Sequence, residues 1–145
     1  MKYKYIEHTA DLKFQAFGES MEEAFANAAI AMFDFLTKTD KIEPLIEEKI
    51  EMESEDNKSL LYDFLEQFLF LIDTKQFLLH EIKNMKIRRI GSNKLRLTAT
   101  AVGDTIDDKY AVGGDIKAVT YNDMFIRKED DRYVVQVLML SLIHI

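Results

Sequence analysis

The alternation of apolar and polar positions changes period along this chain, and each change marks an element. Lys2–Glu7 alternates weakly and reads as a first strand. Next, Leu12, Phe14 and Ala16 alternate with Lys13 and Gln15, the period of two of a half-buried strand, so Leu12–Phe17 is read as strand, ended by Gly18. From Met21 the period lengthens. Met21, Phe25, Ala28, Met32 and Leu36 recur at helical spacing, with Ala24, Ala29 and Phe33 beside them, which predicts a helix over Met21–Leu36 with a broad apolar stripe. Ser20 stands where an N-cap would, and Glu23 follows at the spacing of a capping box. Thr37–Pro44 reads as a polar turn, Lys49–Glu53 as a strand with Ile50 and Met52 inward, and Ser54–Ser59 as an acidic, polar loop.

Leu60–Thr74 is read as the second helix. Leu61, Phe64, Leu65, Phe68, Leu69 and Ile72 form its core stripe, and Phe70 and Leu71 widen it. A wide stripe suits a helix wedged between sheet and loops; it equally suits a partner-binding surface. Phe77–Ile90 and Leu95–Val102 read as strands joined at Gly91-Ser92-Asn93, a hairpin connection. Gly103–Lys109 is an acidic loop. Ile116–Tyr121, Met124–Arg127 and Tyr133–Leu138 follow as strands, with a turn at Glu129-Asp130-Asp131. Runs of strands around two helices predict a single α+β domain, with a mostly antiparallel sheet and two helices packed on one of its faces.

Composition narrows the function. The chain has 145 residues, 48% of them hydrophobic, and one Pro, so it suits one domain with a sizeable core and little linker. No signal-like segment opens it, and the apolar run Leu60–Leu79 is broken by Asp63, Glu66, Gln67, Asp73 and Lys75, so no membrane span is expected and the cytoplasm is. Without cysteine there are no disulfides, thiolate metal sites or cysteine nucleophiles. A net charge of −7 opposes nonspecific nucleic-acid binding, which rests on neutralising phosphates with Lys and Arg. The basic cluster Lys83, Lys86, Arg88, Arg89, Lys94 and Arg96 straddles the hairpin turn without interleaved aromatics and is read as a solvated face.

Three residues stand out for chemistry. His8-Thr9-Ala10-Asp11 interrupts what would otherwise be one long strand. A bend held by Thr and Asp side chains is one account. The other is metal chemistry: Asp11 offers hard oxygen, suited to calcium or magnesium rather than zinc. His8 beside it suits a ligand, a proton carrier or an ordinary hydrogen-bonded residue. Lys117, on an alternating strand, would share a face with Val119 and Tyr121, opposite Ile116 and Ala118; a solvated Lys and a partner contact both fit. Gly113-Gly114 is followed by no phosphate-loop pattern, and no nucleophile-elbow motif occurs. These absences point away from a stand-alone enzyme; the readings the residues themselves offer are a metal-dependent hydrolase using Asp11 and His8 and a chaperone-like module binding through the Leu60–Thr74 face.

These motifs together resemble the archease family: the Tyr-rich opening, His8-Thr9-Ala10-Asp11, Phe17-Gly18, Glu22-Glu23-Ala24-Phe25, Asn27-Ala28-Ala29, Ala31-Met32-Phe33, Lys41–Pro44, Leu60–Asp73 and Asp115–Met124. The resemblance reaches to about Met139. It implies an archease-like fold and a protein cofactor, not itself an enzyme, of the RtcB-type RNA ligase of tRNA splicing, promoting that ligase's guanylylation and repeated turnover. It implies a divalent metal, calcium above all, at Asp11, and a partner contact at Lys117. The family's remaining ligands come from an Asp-Ile directly after the last strand. Here Leu140-Ser141 stands there and Leu142-Ile143-His144-Ile145 follows, with no side-chain carboxylate. Residues 140–145 are therefore expected to be an atypical tail on a domain of residues 1–139, and His144 with a terminal carboxylate would replace the lost ligands only by folding back.

Overall fold

The structure is a computed structural model and describes residues 1–8 and 11–143. Its elements are β1 (Tyr3–Ile6), β2 (Asp11–Gly18), α1 (Met21–Leu36), a single 3-10 turn (Thr39–Lys41), β3 (Ile46–Ser54), α2 (Asn57–Lys75), β4 (Phe77–Ile90), β5 (Lys94–Thr105), β6 (Gly114–Glu129) and β7 (Arg132–Ile143). The strands make two sheets rather than one, in the orders β1-β2-β7-β6 and β3-β5-β4, with every pair antiparallel. The α+β domain with two helices is as expected. The division of the strands is a pairing decision that alternation along a single strand does not record.

Both helices press on both sheets. α1 packs on β2 and β7 of the first sheet and β4 of the second; α2 packs on β6 of the first and on β3, β4 and β5 of the second. The wide apolar stripe of α2 is thus consumed by two layers. Leu71 is buried, whereas Phe70 remains 56% exposed. Five buried phenylalanines bind the layers. Phe33 meets Phe68 and Phe77 edge to face at centroid distances of 5.6 and 6.2 Å, and Phe64 meets Phe68 at 5.1 Å and Phe25 at 6.2 Å. Such pairs add to the burial of large apolar side chains. No helix among the described residues is long and apolar enough to cross a membrane.

Local signals set most boundaries. The Ser20 hydroxyl accepts from the Glu23 N–H at 3.1 Å, as predicted for the α1 cap. α2 begins at Asn57, three residues before the predicted start, because Asp56 caps it: Asp56 Oδ1 accepts from Ser59 N–H at 2.8 Å, and Ser59 Oγ accepts from Asp56 N–H at 3.3 Å. Here Ser, not Glu or Gln, fills the third position of the capping box, so the usual pattern does not reveal it. α2 ends at Gln76, a non-glycine in the left-handed region at φ 54°. The two segments expected as Ile116–Tyr121 and Met124–Arg127 are one strand, β6, with an irregularity between Thr120 and Phe125 where Asp123 takes φ 58°.

β7 runs on to Ile143 instead of stopping near Leu138. Leu140, Ser141 and Leu142 sit in the sheet, opposite Ala118, Ile116 and Asp115 of β6. Leu-Ser-Leu continues the strand's period of two. The expected bend at Thr9-Ala10 and the folding back of His144 fall outside the described residues.

Candidate functional site

The alternation of β2 decides which residues reach solvent at this end of the first sheet. Leu12, Phe14 and Ala16 are buried toward α1, which sends Asp11, Lys13 and Gln15 to the opposite face. Directly across on β7 stand Leu140, Leu138 and Gln136. Side chains facing one another across an antiparallel pair share a face. A chain of polar contacts crosses this face: Gln15 Nε2 donates to Gln136 Oε1 at 2.9 Å, Gln136 Nε2 donates to the Asp123 carbonyl at 2.8 Å, and Lys13 Nζ lies 3.4 Å from Asp123 Oδ2.

His8 Nδ1 lies 3.7 Å from Asp11 Oδ2, with both side chains partly exposed. The structure therefore brings these two candidates together. Lys117 lies on the other flank of β7, with one residue more on β6 than on β7 between neighbouring pairs: Ile116 is paired with Ser141 and Ala118 with Leu140. Lys117 is the extra residue of a β-bulge, and a bulge re-aims a side chain. Ile116 and Val119 are both buried, whereas Lys117 is exposed and holds Asp115 Oδ2 at 2.7 Å. This corrects the expectation that Lys117 shares a face with Val119. An uninterrupted alternation would have placed it there; the bulge shifts the phase by one.

A calcium ion takes about six to eight oxygen ligands. At this end of the sheet His8 and Asp11 offer one imidazole and one carboxylate, and no group of three His, Cys, Asp or Glu side chains suited to a metal occurs among the described residues. This donor set does not fit calcium. Leu140, not a carboxylate, faces Asp11.

The acidic loop after β5 does not supply the missing ligands. Asp104 is buried: Tyr110 donates its hydroxyl to Asp104 Oδ2 at 2.6 Å, Thr105 N–H donates to Oδ1 at 2.8 Å, and Lys109 Nζ lies 3.2 Å away. The Tyr110 hydrogen bond, then that from Thr105, holds the Asp104 carboxyl below the usual carboxylate range. This carboxylate latches the loop. Two members of the basic cluster pair with acids: Arg96 of β5 contacts Glu51 and, at 3.2 Å, Glu53 of the neighbouring β3, and Lys83 lies 3.5 Å from Glu81 of its own strand.

Sequence reasoning missed the apolar part of the site. Leu140 and Leu142 are 43% and 54% exposed, between the His8–Asp11 pair on one flank and the Asp115–Lys117 pair on the other. The signal was present in the continued alternation past Met139. It was missed because those residues read as a tail.

Residues 3–139 match the model of the Archease protein family. Protein archease of Methanosarcina barkeri is 39% identical over 139 residues, covering 95% of this chain and 94% of that protein. Protein archease of Methanothermobacter thermautotrophicus is also 39% identical, over 137 residues, covering 94% and 96%. The solution structure of protein 1598 of Methanobacterium thermoautotrophicum superposes with a TM-score of 0.80 at 37% identity, covering 95% of this chain and 97% of that one. The crystal structure of a Thermotoga maritima archease, described as a possible chaperone, superposes at 0.54 and 22% identity, covering 94% of each chain; that likeness is one of fold.

Proposed function

This chain belongs to the archease family, and from that premise we propose that it is a cytoplasmic accessory protein that activates an RtcB-type RNA ligase, promoting guanylylation and multiple turnover in tRNA splicing or RNA repair. Family membership over residues 3–139 is the observation that carries this reading. The geometry supports it: an exposed apolar pair flanked by the His8–Asp11 contact on one side and the Asp115–Lys117 ion pair on the other has the make-up of a protein contact, with an apolar centre and a polar rim. Lys117, raised on its bulge, is the cation offered to an acidic group of the ligase, and Asp11 with His8 forms the opposite rim. The charge of −7 suits a protein that docks on an enzyme rather than gripping RNA itself. No metal enters this reading.

The test is ligation with the host's ligase at substoichiometric amount. Adding this protein is expected to turn one ligation per ligase into many, while the protein alone joins no RNA. Lys117→Glu is expected to weaken the stimulation. Ligation by the protein alone, or no stimulation of the ligase, would overturn the reading.

A second reading, a chaperone-like binding module, draws on the exposed Phe70 of α2 and on the description of the Thermotoga maritima protein. Suppression of the aggregation of an unrelated unfolded protein, lost in Phe70→Ser, would favour it.

A further inference from the structure

We propose that the cavity beneath the segment joining β5 to β6 is a binding site for a small apolar molecule about the size of a benzene ring. The cavity holds about 140 Å³. It lies where the ends of both helices meet the starts of β4 and β6. Leu36 is the last residue of α1, Ile72 stands in the last turn of α2, Leu78 near the start of β4 and Ile116 near the start of β6. Ile106 and Val112, from the two ends of the joining segment, close the lining. Protein interiors are close-packed, and voids larger than a water molecule are few. This one is large for a domain of its size.

Its roof is fixed at both ends. The Ile106 N–H donates to the Gln76 carbonyl and the Gly113 N–H to the Leu36 carbonyl, each at 2.8 Å. Between them the Tyr110 hydroxyl donates to Asp104. These bonds tie the segment to the ends of α2 and α1, so it does not settle into the space below. Water finds no partners among six aliphatic side chains. Asp115, at one end of the cavity, turns its carboxylate to Lys117 at 2.7 Å and offers no free charge. An apolar cavity of about 150 Å³ engineered into another protein stays dry and takes up benzene or xenon. Volume and lining here are of that kind. Ile72, Ile106 and Val112 are partly exposed, which puts the outer wall at the surface, within reach of a ligand. The binding does not depend on the ligase reading and is measured on this protein alone.

The test is a titration of the full chain with benzene, followed by NMR of assigned isoleucine, leucine and valine methyl groups. Saturable shifts are expected at Leu36, Ile72, Leu78, Ile106, Val112 and Ile116. The melting temperature is expected to rise by roughly 4 °C when benzene stands at about five times its dissociation constant. Pyridine, of the same shape but with a ring nitrogen that no donor in the cavity satisfies, is expected to give no saturable shifts at the same concentrations. Leu78→Phe and Ile116→Phe each place a ring in the cavity from a buried position. Each is expected to melt cooperatively and to lose the benzene response; either one that folds suffices. No saturable shift in the wild type up to the solubility of benzene overturns the proposal. So do shifts centred on other methyl groups, pyridine bound as tightly as benzene, or a benzene response that survives in a folded filled variant.

Discussion

Leu140 stands directly opposite Asp11 across the β2–β7 pair, on the face turned away from the helices. An aliphatic side chain, not a carboxylate, is thus the cross-strand partner of Asp11. His8 is the other close neighbour of this carboxylate, with its Nδ1 3.7 Å from Asp11 Oδ2.

Leu140→Asp should change that. Facing carboxylates repel, so the pair is expected to raise the pKa of one member and to gain a divalent cation that relieves the repulsion. Calorimetric titration with calcium should show weak or no binding for the unaltered chain, measurable binding for Leu140→Asp, and none once Asp11→Ala is added. Tight binding by the unaltered chain would place the ligands elsewhere.

Tyr3 should govern stability in alkali. Its hydroxyl donates to Asp34 Oδ2 at 2.5 Å, while Asp34 Oδ1 accepts from Thr39 N–H at 2.8 Å, so one carboxylate ties β1 and the 3-10 turn to α1. Burial first, then the Asp34 hydrogen bond, pushes the Tyr3 phenol up to about 12. Burial also raises Tyr5, whose hydroxyl donates to the Ala31 carbonyl. A pKa raised on folding stabilises below the unfolded value, near 10, and that stability is lost as pH rises through the folded value. Urea midpoints should therefore fall between about pH 10 and pH 12. Tyr3→Phe should be less stable at neutral pH and show a shallower alkaline fall. An identical fall in Tyr3→Phe would show that Tyr3 is not responsible.

The helix ends should respond in opposite directions. Ser20→Ala leaves the Glu23 amide without its side-chain partner and should cost about 1 kcal/mol. Gln76, left-handed at φ 54°, bears a Cβ where glycine has none, so Gln76→Gly should stabilise by about 1 kcal/mol. Denaturant melts of both variants check the pair. A Gln76→Gly midpoint at or below wild type would mean that the Gln side chain contributes more than its backbone strain costs.

The Asp130-Asp131 turn joining β6 to β7 should also tighten on substitution. Both residues have positive φ, 49° and 66°, as a two-residue type I′ hairpin requires, and Asn-Gly suits that geometry better than Asp-Asp. Asp130→Asn with Asp131→Gly should raise the melting temperature. An unchanged or lower value would show that the aspartates are held by contacts beyond the turn.

What the sequence by itself determined was what local periodicity encodes. The strip Leu12, Phe14, Ala16 named the buried face of β2, and Met21–Leu36 with its Ser20 cap named α1, because side-chain direction in an isolated strand or helix follows from its own spacing. His8 and Asp11 were legible as neighbours because they are three residues apart. Tertiary structure alone decided what depends on pairing. Whether Lys117 faces the core or solvent turned on one unmatched residue against β7, about twenty residues away in sequence. The division of seven strands into two sheets, and the seating of both helices between them, rest on contacts between distant segments. So does the meeting of Leu140 with Asp11. A strand's own alternation says which of its side chains lie together, but only its partner's register says what they face.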